Sequence, residues 1–251
     1  MKKFKLIALA AVLTLIPTLQ SCLDNDDSNY PSLAISTIKT LEGVDKGYYF
    51  GLDDNKKMYP GDTTAIHNYA IVEGQRAFVY FHFLDEPKAG YDYNVKVQQI
   101  INILTKDIVD LTEENAEDIG DNKINATNFW ITQGYLNIEF QYFGTNNPDK
   151  KHFLNLVRNT LATDENGEEG YISLEFRHNI KSDTPDRLGE GYVSFKLDKI
   201  AEEMKDAKGL IVRVKTLYDG ERFYKIDFKK EKSAAASLNI KVPSYTNKTM
   251  Y

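Results

Sequence analysis

Along much of the chain, large apolar residues recur at every second position, the period of a strand buried on one face. In Tyr135 to Tyr142 one face carries Leu136, Ile138, Phe140 and Tyr142, the other Asn137, Glu139 and Gln141. Ile172, Leu174 and Phe176 alternate with Ser173 and Glu175, and Val193, Phe195 and Leu197 with Ser194 and Lys196. Leu210, Val212 and Val214 alternate with Arg213 and Lys215. Tyr218-Asp219-Gly220-Glu221 then predicts a tight hairpin, because Asp-Gly supplies the positive φ of a type I′ turn. The returning strand presents Tyr224, Ile226 and Phe228. Half-buried strands joined by short turns predict an antiparallel sandwich.

The N-terminal half is patterned differently. Ser32 to Leu41 and Gly47 to Leu52 are short β-type runs, with turn clusters at Asp53-Asp54-Asn55 and Pro60-Gly61-Asp62. Arg76 to Leu84 is apolar on both parities, as in a strand buried on both sides or one in a small barrel packed on a neighbour. Tyr91 to Ile108 continues as strand with a bend or a switch of face. Residues 112–123 hold five acidic side chains and little to bury, which predicts an acidic linker between a domain over 32–111 and another over 124–251. One helix is predicted, from an Asp198 cap through Ala207, with Ile200 and Met204 on one face and Gly209 as its stop. A βαβ rhythm is absent, which excludes a Rossmann-type sheet.

The first residues change the picture. Lys2, Lys3 and Lys5 precede the apolar run Leu6 to Ile16, so residues 1–21 are expected to be a signal peptide and not a spanning helix. Leu19-Gln20-Ser21-Cys22 resembles a bacterial lipobox, which makes Cys22 the expected lipidation site and the membrane a partner through an N-terminal lipid. Residues 22–31 are an acidic tether. Cys22 is the only cysteine among 251 residues, which excludes a disulfide framework and a thiolate metal site. The chain carries 31 Lys and Arg against 37 Asp and Glu, a net charge of −6 that becomes −9 when the three leader lysines are removed. Such a balance with no basic cluster excludes nucleic acid as a partner.

Catalytic chemistry finds little to stand on. His67, His82, His152 and His178 have no zinc-motif spacing. His152 opens one strand and His178 ends another, beside Arg177; whether these three form a site does not follow from their spacing. Serine-nucleophile and phosphate-cradling motifs are missing, so no cofactor is expected. Asp53-Asp54-Asn55 and Asp24 to Asp27 do not fit a calcium loop and are expected to be solvated. Trp130 is expected in the core. Tyr48, Tyr91 and Tyr93 could stack on sugars or serve as amphipathic strand residues. Asp62-Thr63-Thr64 resembles an O-glycosylation acceptor of exported Bacteroidetes proteins, which makes Thr63 a candidate modification site.

Four blocks carry a wider resemblance. Asn128-Phe129-Trp130-Ile131-Thr132-Gln133-Gly134-Tyr135-Leu136-Asn137-Ile138-Glu139-Phe140, Lys151-His152-Phe153-Leu154-Asn155-Leu156-Val157, Leu174-Glu175-Phe176-Arg177-His178-Asn179 and Val193-Ser194-Phe195-Lys196-Leu197 resemble the NigD-like lipoproteins of Bacteroidetes, in the family's order. The resemblance implies an all-β chain: an N-terminal OB-like β-barrel followed by a C-terminal antiparallel β-sandwich with one short helix. It carries no established activity and no functional residues, only a bacteriocin-cluster association that suggests immunity. The acidic stretch after Cys22 also resembles the export signal of surface lipoproteins in that group. The expectation is therefore a non-enzymatic, lipid-anchored protein of the outer membrane, surface-exposed or periplasmic, that binds a protein or glycan. The alternative is an envelope lipoprotein that only spaces an assembly. A hydrolase with a dispersed carboxylate pair would need a deep cleft to be revived.

Overall fold

A computed structural model describes residues 30–42, 47–145, 147–161 and 168–228. The expected signal peptide, Cys22 and the tether up to residue 29 lie outside the described residues.

Five strands close the first module: β1 (Ser32–Thr40), β2 (Tyr48–Leu52), β3 (Lys57–Asp62), β4 (Arg76–Phe83) and β5 (Tyr93–Asn102), in the order β1-β2-β3-β5-β4. Only β3 and β5 run parallel. Closure removes the free edges that so small a sheet would otherwise expose. The two-sided pattern of β4 has a simple cause. Ala77, Val79 and Phe81 point into the barrel with Ile38, Phe50 and Met58, while Phe78 points out against Ile35, Ile103, Trp130 and Tyr192.

The chain leaves the barrel at Ile103. Strand β6 (Leu104–Asp107) pairs with β12 (Arg187–Lys196), and β7 (Val109–Leu111) with β10 (Phe153–Asn159), so the switch of face expected before Ile108 is a passage from barrel to sandwich. One sandwich sheet has the order β6-β12-β9-β8, with β8 spanning Asn125–Thr132 and β9 Tyr135–Gly144. The other is β14-β13-β11-β10-β7, with β11 at Tyr171–Asn179, β13 at Gly209–Lys215 and β14 at Glu221–Asp227. Leu136, Ile138, Phe140, Leu174, Phe176, Val193 and Val212, the inward set of the alternation, form the core between them.

Five expectations need correction. The first domain ends near residue 102, not 111, because β6 and β7 hydrogen-bond into the sandwich. The expected linker over 112–123 is a strap on that sandwich. It contains α1 (Ala116–Ile119), whose Ile119 packs with Leu111 and Val157, and Asn179 donates to the carbonyls of Glu117 and Asp118 at 3.0 Å each. One buried isoleucine and borrowed side-chain bonds suffice where composition shows little to bury. The helix expected over 198–207 is instead two 3₁₀ turns, Asp198–Ile200 and Glu203–Lys205, with no side-chain cap; a segment this short does not nucleate an α-helix easily.

The sheets are also mixed: β6/β12, β7/β10 and β11/β13 are parallel, the last because β12 intervenes in the opposite sheet. The fifth correction concerns the hairpin. Residues 216–220 join β13 to β14 in a loop closed by Thr216 N and Oγ1 on the Gly220 carbonyl, at 2.7 and 2.8 Å, and of the pair only Gly220 has positive φ. The two-residue turn with both φ positive is Gln133-Gly134, at 47° and 83°.

Barrel and sandwich meet over a buried polar knot. The outward face of β9 and β12, where alternation places water-facing residues, holds Asn137 and Ser194 at 1% exposure. They are covered because Arg76, the first residue of β4 and fully buried, points across at them. Its Nη1 and Nη2 donate to Asp53 Oδ1 and Oδ2 at 2.6 and 2.9 Å, Nη1 also to Thr37 Oγ1 at 3.1 Å, and Nε to Asn137 Oδ1 at 3.2 Å. Trp130 Nε1 donates to Asp53 Oδ2 at 2.9 Å, and Ser194 Oγ to Asn137 Oδ1 at 2.7 Å. Asp53, expected in a solvated turn, is thus the anion that holds three donors at the junction.

Replacing Asp53 by Ala leaves the Arg76 guanidinium buried without a counter-charge, which is expected to cost about 3–5 kcal/mol. Asp54→Ala, in the same turn but exposed, should stay within about 0.5 kcal/mol, and urea titration of both variants checks the contrast.

Candidate functional site

The β2–β3 hairpin sorts its residues by parity. Phe50 and Met58 pair across it inside the barrel, which leaves Tyr49, Lys57 and Tyr59 on the outer face. Tyr91, just before β5, is brought to the same face by the chain around it. Asp92 N donates to the Lys57 carbonyl at 2.9 Å, and Lys57 N returns a bond to Asp92 Oδ2 at 2.7 Å. The Tyr91 ring lies 5.8 Å from that of Tyr49 and 5.0 Å from that of Tyr59. Lys57 Nζ rests 5.7 Å from the centre of the Tyr49 ring, and Lys88 Nζ 4.7 Å from that of Tyr59. Three half-buried phenols and two ammonium groups therefore share one shelf on the barrel wall.

Of the tyrosines singled out in the sequence, only Tyr91 joins this shelf. Tyr48 turns toward the barrel core, edge-on to Phe50 at 5.5 Å, and burial pushes its hydroxyl pKa up. Tyr93 sits at the barrel mouth beside Phe83 and accepts a 2.8 Å bond from Lys56 Nζ. Tyr49, Lys57 and Tyr59 follow only from hairpin parity, and Lys88 in the β4–β5 loop had no sequence signal. Thr63 lies half-buried in the turn after β3, where Asp62 Oδ1 binds the N–H and hydroxyl of the next residue, Thr64. Trp130 is buried as expected, with its N–H committed to Asp53.

His152 and His178 do meet, inside the sandwich. His178 Nδ1 faces the Lys123 carbonyl at 3.1 Å, and a carbonyl only accepts, so that nitrogen carries the proton. Burial, opposed by the Lys123 carbonyl and reinforced by His152, lowers the His178 pKa to about 4 and keeps the ring neutral. Its bare Nε2 then accepts from His152 Nδ1 at 2.9 Å. His152 Nε2 is 2.9 Å from Asp183 Oδ2. Burial works against the Asp183 charge, but hydrogen bonds from Thr145, His152 and Thr184 prevail and hold its carboxyl well below the usual range. The contact between His152 Nε2 and Asp183 closes a chain of side chains that runs from the Lys123 carbonyl to the Asp183 carboxylate.

Arg177 is absent from this chain of bonds, because strand alternation turns it to the opposite face of β11. There it pairs with Glu175 in a network with Arg213 and Asp121. The side chains of His152, His178 and Asp183 are at most 2% exposed, so no substrate reaches them. Among the described residues, no group of three His, Cys, Asp or Glu side chains is arranged to hold a metal.

A five-stranded closed barrel followed by a two-sheet sandwich defines a two-domain all-β class with an OB-type N-terminal module. The family models divide the chain in the same way: a NigD-like N-terminal OB domain over 35–103 and a NigD-like C-terminal beta sandwich domain over 107–228. The chain belongs to the NigD-like family.

Solved structures repeat the fold. A Bacteroides vulgatus protein of unknown function is 29% identical, with a TM-score of 0.66 over 78% of this chain and 90% of its own. A NigD-like immunity protein from Bacteroides caccae is 15% identical, with a TM-score of 0.56 over 80% and 95%. A candidate lipoprotein from Bacteroides fragilis is 13% identical, with a TM-score of 0.56 over 79% and 98%. No curated protein matches the chain.

The histidine chain generates a pH dependence. A His whose folded pKa lies below its unfolded value of about 6.5 leaves stability fully present above that value and reduces it as pH falls toward about 4. The loss should be on the order of 3 kcal/mol across that window, read by urea titration at several pH values. His178→Phe strands the His152 donor and should be less stable at pH 7 by about 1–3 kcal/mol, with a flatter profile between pH 6.5 and 4.

Proposed function

We propose that this chain is a non-enzymatic, lipid-anchored envelope protein that uses its barrel to bind a protein or glycan outside the inner membrane. The observation that carries the reading is the shelf of Tyr49, Tyr59 and Tyr91, flanked by Lys57 and Lys88. Tyrosine presents a large, stiff, amphipathic surface, apolar on its face and wet at its hydroxyl. Tyr49, Lys57 and Tyr59 stand on the β2–β3 strands, and the loop that brings Lys88 and Tyr91 is tied to them through Asp92 and Lys57, which supports a preformed binding surface. The buried histidine chain is sealed from solvent, which favours binding over catalysis.

Residues 2–22 support the anchor, and the acidic tether supports placement at the outer membrane, on the surface or facing the periplasm. Among described helices none is long and apolar enough to span a membrane. The name of the Bacteroides caccae structure favours a role in immunity, which would make the ligand a bacteriocin-type protein. A structural role without a soluble ligand is the second reading, favoured by the rigid, polar-knotted junction. Thr63 is retained as a candidate O-glycosylation site on the turn beyond β3.

Palmitate labelling of cells should mark the wild-type protein and not Cys22→Ala, and protease shaving of intact cells should remove a surface-exposed form. An unlabelled wild-type protein would overturn the anchor. Stoichiometric capture of a membrane partner with no response to any soluble protein or glycan would favour the structural reading.

A further inference from the structure

Resting on the binding reading above, we infer that the ligand of the tyrosine shelf is an anionic glycan, one whose sugars carry carboxylate or sulfate groups. Charge is the first argument. The chain has more acid than base, and many of the described ammonium groups have carboxylate partners close by, among them Lys39, Lys56, Lys96, Lys181, Lys199 and Lys225. Among the described residues, Lys57 and Lys88 have none within 4 Å, as is also true of Lys106, Lys123, Lys150 and Lys208, but these two rest on tyrosine faces. Both lie on the same shelf. An exposed cation–π contact is worth only about 0.5–1 kcal/mol, so an incoming anion can draw each ammonium off its ring. The same movement uncovers the ring for the C–H face of a pyranose.

The neighbouring acid does not cancel this. Asp85 and Glu86, exposed in the loop that carries Lys88, make no ion pair with that lysine within 4 Å, and Asp92 is fixed to the shelf with its Oδ2 held by the Lys57 backbone N–H. That bond keeps it at the edge and leaves Lys57 Nζ for the ligand. Asp54, the other acid of the hairpin, is spent on Lys56.

Other occupants fit less well. Nucleic acid needs a stripe of cations along its phosphates, and here two stand alone in an acidic chain. Protein interfaces are enriched in tyrosine but depleted of lysine, and the shelf has no aliphatic anchor at its centre. A neutral glycan would use the rings and leave both ammonium groups without purpose. The chemistry common to the five side chains is an acidic sugar.

The test uses the mature lipoprotein in detergent and calorimetric titration with four probes: oligogalacturonate, its methyl ester, a heparin-derived oligosaccharide and maltohexaose. Oligogalacturonate or the heparin fragment should bind, the ester and maltohexaose at least about tenfold more weakly, a difference of roughly 1.4 kcal/mol. Which of the two acidic probes binds distinguishes carboxylate from sulfate. Lys57→Ala/Lys88→Ala should weaken the acidic probe about five- to tenfold, as two exposed ion pairs allow, and reduce its salt dependence. Tyr91→Ala should weaken it as well. Tyr218→Ala, an exposed tyrosine on the sandwich, should leave it unchanged. Equal binding of acid and ester, or no loss in the double lysine variant, overturns the anionic preference while the binding reading stands. Binding of none of the four probes overturns the inference, and a purified bacteriocin that then binds through Tyr91 would preserve the broader reading.

Discussion

The fork between Arg76 and Asp53 is the constraint on which the architecture depends. A guanidinium with no exposed surface is tolerable only where a carboxylate and further acceptors meet it, since desolvating either ion alone costs several kcal/mol. The pair draws its partners from both modules. Thr37 and Asp53 come from the barrel side, Asn137 and Trp130 from the sandwich. Phe78, Ile35, Ile103, Trp130 and Tyr192 form an apolar cluster at the same junction. Polar groups fix the register of the two modules, and apolar groups supply the adhesion. Neither module could rotate on the other without exposing a charge to an apolar wall.

This rigidity bears on function. The turn that carries Asp53 also joins β2 to β3, the hairpin on which Tyr49, Lys57 and Tyr59 stand. The shelf is therefore built on a hairpin pinned to the sandwich at one end and tied to β5 through Asp92 at the other. Binding to such a surface loses little to ordering, the condition under which a few rings and ammonium groups can hold a ligand. The sandwich has its own internal lock in the chain Asp183–His152–His178–Lys123, which ties β10 and β11 to the loops on either side. Both devices place ions in the interior, and both are fully partnered.

Much of this was legible in the sequence. Period-two patterns in β9, β11, β12 and β13 identify the inward set of the sandwich, and the two-parity run of β4 is explained by a barrel leaning on it. The resemblance of four sequence blocks named the barrel, which periodicity alone did not. What escaped were the contacts made across modules. Asn137 and Ser194 look like water-facing residues because alternation cannot know that a barrel covers that face. Asp53 looks like a turn residue because its partner lies 23 positions on, at the start of another strand. Asp183 sits in a polar loop with nothing to announce that two histidines converge on it. The strap over 112–123 looks like a linker because its single buried residue, Ile119, is outweighed by acidic neighbours held by Asn179 and Arg213.

The chain contains one tryptophan, Trp130, and its indole N–H is bonded to Asp53 at the junction. Its fluorescence reports the junction, while far-UV circular dichroism reports all the strands. The most direct test of a barrel and sandwich welded into one body is a urea titration of the wild-type protein followed by both signals. A single transition with coincident midpoints is expected. Two resolved steps in the dichroism, with the Trp130 signal changing in only one of them, would contradict it.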